Sequence, residues 1–170
     1  MITDRNETAA FLAELKKFSG KEIHAGILAK ENSELQIIAA SNEFGAVIKS
    51  EKARKWFFAN MHEKGIKPQK GKNSDGNIHI PERAAIRKAF DKSENITEVF
   101  KNGQLVFDKT GSILKAVNAM GSTMVGKIQE SYLSNIQPSN HPFTTEMKGG
   151  KDKTLVASGR LQQAVSYTIE

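Results

Sequence analysis

The chain has 170 residues, and 25 lysines and arginines against 19 aspartates and glutamates give it a net charge of +6. It contains no cysteine, which excludes disulfide scaffolds, thiolate metal sites and cysteine nucleophiles. Hydrophobic residues make up 38% of the chain, enough for one modest core, but no apolar run approaches the roughly 20 residues that cross a bilayer. We therefore expect a single domain, residues 1–170, of a soluble protein made in a reducing cytoplasm.

The first 40 residues carry a helical pattern and then a strand pattern. Residues 5–19 space their apolar side chains as an amphipathic helix does, and Gly20 suits the cap at its end. Residues 21–29 alternate as a strand does. The apolar run at residues 35–40 is too short for periodicity to distinguish a strand from a helix, so both alternatives stay open.

A basic and aromatic block at residues 49–77 interrupts these patterns. Residues 51–64 suit a short helix, and residues 65–77 indicate a mobile loop, so we interpret the block as an insertion. Cations interleaved with aromatic rings are typical of surfaces that bind single-stranded nucleic acid. The alternative is a helix that packs on the core or on a neighbouring subunit. The candidate nucleic-acid contacts are Lys52, Arg54, Lys55, Trp56, Phe57 and Lys64.

The second half of the chain is mainly helical by pattern. A short strand at residues 77–81 precedes a helix at residues 82–91, and the longest helical stripe covers residues 104–136. Residues 143–153 are rich in glycine and lysine and indicate a second mobile loop. A short helix after Ser158-Gly159-Arg160 and a strand at 165–169 end the chain. These patterns predict a mixture of helices and short strands.

No group of residues has the spacing of a catalytic or metal site. The four histidines show no metal-ligand spacing, and the chain lacks a nucleophile elbow, a phosphate-binding lysine loop and a dinucleotide-binding glycine turn. We therefore predict no catalytic, cofactor-binding or metal-binding residues, and a protein that is not an enzyme. A hydrolase site around His79, Glu82 and Asp91 is the weakest alternative, because nothing there polarises a nucleophile.

Three segments of the chain, taken in order, carry a family resemblance. They are Ala-Ser-Asn-Glu-Phe-Gly-Ala at residues 40–46, Ile-Pro-Glu-Arg-Ala-Ala-Ile-Arg at residues 80–87, and Thr-Leu-Val-Ala-Ser-Gly-Arg-Leu at residues 154–161 before the closing strand. This order resembles the tailed-bacteriophage virion morphogenesis proteins of the neck and tail-completion type, which are found in phages and prophages. The resemblance covers roughly residues 20–170. The chain departs from the family pattern at Ala84-Ala85 and at Ala157-Ser158.

The resemblance implies an α+β fold, with a small, twisted, mostly antiparallel sheet packed against one long helix, about residues 104–136, plus an N-terminal helix and mobile loops. It also implies a structural subunit for tail completion or head–tail joining, in a homo-oligomeric ring that is six-fold in many members. The implied partners are other phage neck or tail proteins, with non-specific contact to DNA in the lumen and none to a membrane. The implied locations are the bacterial host cytoplasm during assembly and then the virion neck or tail.

The residues of the three segments are the candidate contacts between subunits. In a single chain they also suit local turn and cap chemistry, and this alternative stays open. The candidate interface or assembly residues are Glu43, Phe44, Gly45, Pro81, Arg83, Arg87, Ser158, Gly159 and Arg160.

Overall fold

The computed structural model describes residues 5–28, 33–67, 76–156 and 158–170, and within these ranges it contains eight helices and four short strands. The predicted α+β class is confirmed, with helices dominating. The helices are α1 (Arg5–Phe18), α2 (Ser33–Phe44), α3 (Glu51–Glu63), α4 (Ala85–Asp91), α5 (Ser93–Thr110), α6 (Ile113–Leu133), α7 (Pro142–Met147) and α8 (Arg160–Gln163). The strands are β1 (Ile23–Gly26), β2 (Ala46–Ile48), β3 (Ile78–Ile80) and β4 (Ser166–Ile169).

The strands form two separate antiparallel pairs rather than one sheet. Strand β1 pairs with β4, with Ile23 opposite Ile169, and β2 pairs with β3, with Ala46 opposite Ile80. A two-stranded ribbon is only marginally stable alone, so each pair needs a helix to cover it. Helix α6 contacts both β1 and β4 and provides that cover for the first pair.

The long helix expected at about residues 104–136 is two helices, so those bounds are wrong. Helix α5 begins at Ser93 and runs through Gly103 without a break. It ends at Gly111, whose φ of +64° is left-handed and whose N–H donates to the Phe107 carbonyl over 2.7 Å. Helix α6 then begins after Ser112, whose hydroxyl caps Lys115 N–H. The apolar stripe continues across this turn, so periodicity alone did not reveal it.

Helix α6 is the centre of the hydrophobic core. Its residues Met124, Ile128 and Tyr132 are buried at steps of four, which places them on one face. Helices α1, α4, α5 and α8 all contact α6. Helix α4 approaches through the small buried residues Ala85 and Ala89. Helix α6 is therefore the long helix that packs on strands, as predicted.

The segment at residues 143–153, expected to be a mobile loop, contains helix α7, so this prediction is wrong. Phe143 is only 3% exposed, and its ring centroid lies 4.7 Å from that of Phe57 on α3. His141 Nδ1 accepts a hydrogen bond from Phe143 N–H and caps the helix. One buried aromatic ring therefore orders a sequence that is otherwise polar. The other expected loop covers residues 65–77, and its residues 68–75 lie outside the described residues.

Two glycines of α6 test how tightly that helix is packed. A Cβ at Gly121 would overlap the ring of Tyr167 on β4, whereas a Cβ at Gly126 would have no neighbour within 4 Å. We expect Gly121→Ala to lower the free energy of unfolding by about 1–3 kcal/mol through overpacking. The matched control Gly126→Ala should raise it by about 1 kcal/mol, the gain in helix propensity. Urea unfolding measures both, and equal effects of the two substitutions would contradict this packing.

Candidate functional site

Helix α2 buries a carboxylate and exposes aromatic and aliphatic side chains. Leu35, Ala39 and Glu43, at steps of four, form its buried face. Ile37 and Phe44, seven residues apart and so on one face, are 67% and 70% exposed. The buried face thus joins two apolar side chains to a carboxylate, and this carboxylate needs polar partners inside the chain.

Glu43 finds those partners at the start of helix α4. Its Oε2 accepts a hydrogen bond from Ile86 N–H at 3.1 Å, and its Oε1 accepts one from Arg87 N–H at 2.7 Å. The residue in the usual capping position, Ala84, makes no side-chain cap. The Glu43 carboxylate therefore acts as the N-cap of α4 from a different helix, where the helix dipole also favours its negative charge.

Arg87 completes this cap and supports Phe44. Its Nη2 donates to the Glu43 carbonyl at 3.0 Å and to Glu82 Oε1 at 2.6 Å. Its guanidinium carbon lies 5.7 Å from the centroid of the Phe44 ring, within cation–π range. The exposed ring therefore rests on a fixed cation.

Gly45 lets the chain turn tightly between α2 and β2. Its φ is +73°, and a Cβ there would lie 3.1 Å from the Ile80 carbonyl oxygen and 3.2 Å from Glu82 N. On the other side of the turn, Arg83 N–H donates to the Asn42 carbonyl over 2.6 Å. The first two sequence segments thus form one unit, which we call the α2–α4 junction (residues 42–45 and 80–87). It includes six of the candidate residues: Glu43, Phe44, Gly45, Pro81, Arg83 and Arg87.

Arg83 extends from this junction to the segment before α7. It is only 8% exposed, and its Nε and Nη2 donate to the carbonyls of Pro138 and Ser139 at 2.7 and 3.0 Å. Burial lowers the pKa of its guanidinium. No carboxylate among the described residues forms an ion pair with it.

A basic groove with a volume of about 1250 Å³ opens beside Arg83. Its walls come from α2, α3, β3 and residues within 138–155 and 158–161, and they include Trp56, Phe57 and Leu155. No aspartate or glutamate is among the described residues that line it. The ionisable lining residues are His79, Arg83, His141, Lys148 and Arg160.

The third sequence segment contributes one wall of the basic groove and does not join the α2–α4 junction. Ser158 Oγ accepts from Arg160 N–H at 3.4 Å, and Gly159 has a φ of +81°. Arg160 Nη2 lies 3.8 Å from Glu34 Oε2 on α2. The third segment therefore forms a turn at the start of α8 and an ion pair with α2.

The basic aromatic helix α3 uses many of its polar groups inside the chain. Lys55 pairs with Glu51 at 2.8 Å, and Lys64 pairs with Glu146 at 3.3 Å. The Arg54 guanidinium donates to the Gly76 carbonyl at 3.0 Å, and its Nε is buried without a hydrogen-bond partner among the described residues.

Two of the six candidate nucleic-acid contacts stay exposed without such pairing. Phe57 packs on Phe143, as the alternative interpretation of this helix expected. Lys52 and Trp56 face solvent, with Trp56 55% exposed.

Sequence reasoning did not single out Lys148 or Tyr132. Lys148 Nζ donates to the carbonyls of Lys153 and Thr154 at 3.1 and 2.8 Å, and burial, then the charge of Arg83, lower its pKa. Burial, then the charge of Glu43, raises the pKa of Tyr132. Lys148 lay in a segment predicted to be a loop, and Tyr132 lay inside the predicted helix at 104–136 but next to its apolar stripe, which was assigned to Leu133. Neither therefore carried a local signal.

The described ranges hold no cluster of three histidine, aspartate or glutamate side chains placed to bind a metal ion. None of the helices in these ranges combines the length and the apolar content that a bilayer-crossing segment requires. Comparisons with family models, curated proteins and solved structures return no match.

The Glu43 cap predicts a stability difference between two glutamates of the junction. We expect Glu43→Ala to lower the free energy of unfolding by about 2–3 kcal/mol, because it leaves two backbone N–H groups of α4 without an acceptor. Glu82→Ala, the matched control, removes only a solvent-exposed ion pair with Arg87 and should cost less than about 1 kcal/mol. Urea unfolding at pH 7 compares them, and equal losses would contradict the cap.

Tyr132 predicts a loss of stability in alkali. Because its pKa is raised in the folded chain, the neutral phenol stabilises the fold fully below pH 10, the ordinary value, and this contribution falls as pH rises above it. We expect a loss of about 1.4 kcal/mol by pH 11 that Tyr132→Phe does not show. Urea unfolding between pH 8 and pH 11 measures the difference. Parallel pH profiles for the two proteins would exclude this burial effect.

Proposed function

We propose that the chain is a structural subunit of a phage or prophage virion, acting in tail completion or head–tail joining as part of a homo-oligomeric ring. The ordered sequence segments support this proposal, because two of them form the α2–α4 junction and the third lines the adjacent groove. The protein acts through its surfaces and breaks no bonds. It assembles in the host cytoplasm with other neck or tail proteins and remains in the virion.

The uncovered apolar strip of helix α2 carries the proposal. Ile37, Ala40 and Phe44 lie at positions i, i+3 and i+7 of one helical face, and all three are exposed. Val47 on β2, 47% exposed, follows directly in the chain. An apolar strip left in contact with water is typical of a surface that another protein covers.

The α2–α4 junction holds this strip in a fixed position. Glu43 is bonded to α4, and the next residue, Phe44, is exposed with its ring against Arg87. A preformed surface loses little conformational entropy when it binds. The strip and the basic groove are two different surfaces, as a head-to-tail ring requires of each subunit.

The second candidate function is nucleic-acid binding through helix α3. It is supported by the exposed Lys52 and Trp56, which together offer a cation and a stacking surface. The pairing of Lys55 and Lys64 with acidic residues reduces the charge available for phosphates.

Virion morphology tests the proposed function. A phage whose copy of this gene is deleted should give unjoined heads and tails, or tails of abnormal length, in negative-stain micrographs. Complementation with Phe44→Ser should fail because it removes the largest exposed ring of the strip, whereas Phe44→Leu, which keeps the site apolar, should restore particles. Infectious, normally joined particles from the deletion would refute the proposal.

Titration with single-stranded and duplex DNA at 50 and 200 mM salt tests the second candidate. If helix α3 binds phosphates, the affinity should fall steeply with salt and should be lost in Trp56→Ala combined with Lys52→Gln. Absence of binding at 50 mM salt would remove the nucleic-acid candidate and leave the assembly proposal intact.

A further inference from the structure

Every ionisable side chain that the described residues contribute to the basic groove belongs to an arginine, a lysine or a histidine. The acidic residues Glu34 and Glu146 are not among the lining residues and pair with Arg160 and Lys64. A cavity lined in this way raises the local concentration of anions. Its occupant should therefore carry negative charge.

Two cations, Arg83 and Lys148, line the groove close to each other. Each donates two hydrogen bonds to backbone carbonyls, Arg83 to Pro138 and Ser139 and Lys148 to Lys153 and Thr154. Neither forms an ion pair with a described carboxylate. These bonds fix the two charged groups in position and leave further N–H donors on both, because a guanidinium has five and an ammonium three.

The rest of the groove is apolar and large. Ile48, Phe57, Met61 and Leu155 line it together with the cations. Its volume of about 1250 Å³ exceeds the roughly 300–1,000 Å³ of small-molecule pockets. Arg83 lines the groove with only 8% of its surface exposed, which suits contact with one carboxylate better than contact with the repeated phosphates of a nucleic-acid strand.

We propose that the basic groove binds an extended peptide segment of a partner protein, with a glutamate or aspartate carboxylate held by Arg83 and Lys148 and adjacent apolar side chains packed against Phe57 and Leu155. The identity of the partner as a neighbouring virion protein rests on the proposed function. The recognition of a carboxylate rests only on the residues that line the groove. Charge-assisted hydrogen bonds to the carboxylate provide specificity, and the apolar walls provide buried area.

A pair of peptides that differ only in charge tests this inference. The full-length, ¹⁵N-labelled chain is titrated with acetyl-Phe-Glu-Leu-amide, acetyl-Phe-Gln-Leu-amide and inorganic phosphate, and amide shifts are followed by NMR. We expect the glutamate peptide to bind about tenfold more tightly than the glutamine peptide, with shifts at Phe57, Lys148 and Thr154. Lys148→Gln should abolish this preference. Lys153→Gln removes the same charge from a residue outside the groove lining and should leave the preference unchanged.

Each other outcome overturns the inference. Equal affinity for the two peptides would show an apolar groove without carboxylate recognition, and tighter binding of phosphate than of the glutamate peptide would indicate a phosphate ligand. If Lys148→Gln leaves the affinity for the glutamate peptide unchanged, the peptide binds outside the basic groove. If Lys148→Gln does not fold, Arg160→Gln at the groove rim should still weaken the glutamate peptide about threefold, and no change would count against the proposal.

This experiment is independent of the virion test. If the peptide fails to bind but the deletion abolishes joined particles, the peptide site in the groove is refuted and the virion role stands. Carboxylate-selective binding together with normal particles would remove the virion role and leave the peptide site in place.

Discussion

The structure depends on one carboxylate, that of Glu43, buried on helix α2 and bonded to two backbone N–H groups at the start of helix α4. Removing a carboxylate from water is costly, and only partners that favour its charged form can offset that cost. The free N–H groups and the dipole of α4 supply them, while the carbonyl of Glu43 accepts from Arg87. Helix α4 has no side-chain cap from its own N-cap residue, Ala84, so this bond from α2 caps it and sets the relative position of the first two sequence segments.

The proposed surfaces are consequences of this cap. Glu43 faces inward, Phe44 beside it faces solvent, and Gly45 turns the chain close to the backbone of Ile80 and Glu82. The same turn places Arg83 beneath the segment that leads to α7, where its bonds to Pro138 and Ser139 form one side of the basic groove. The apolar strip and the groove are thus positioned by a single short segment of chain, and two different binding surfaces of fixed geometry suit a subunit that joins a neighbour on each side.

Periodicity predicted most elements, because their apolar side chains recur at helical or strand spacing: α1, β1, α3, β3, α4, α8 and β4 lie within the predicted ranges or very near them. It left α2 open because the apolar run at residues 35–40 is too short for periodicity to distinguish a helix from a strand. It merged α5 with α6 because the break at Gly111 falls within a continuous stripe. It missed α7 because that helix depends on contact between Phe143 and a ring more than 80 positions earlier in the chain.

The sequence identified five residues of the junction as candidates, but their roles depend on contacts with residues about 40 or more positions away, which no local pattern encodes. These residues are Glu43, Phe44, Gly45, Arg83 and Arg87. The ring and the virion location stay predictions.

Amide hydrogen exchange at Ile86 and Arg87 tests the central claim most directly. First-turn amides of a helix have no partner within the helix and normally exchange rapidly. If the Glu43 carboxylate caps α4 as described, these two amides should be protected about a hundredfold or more in the native chain, and protection should be lost in Glu43→Ala while amides of α6 keep theirs. Exchange of both amides in the native chain at the rate of unprotected, solvent-exposed amides would contradict the account.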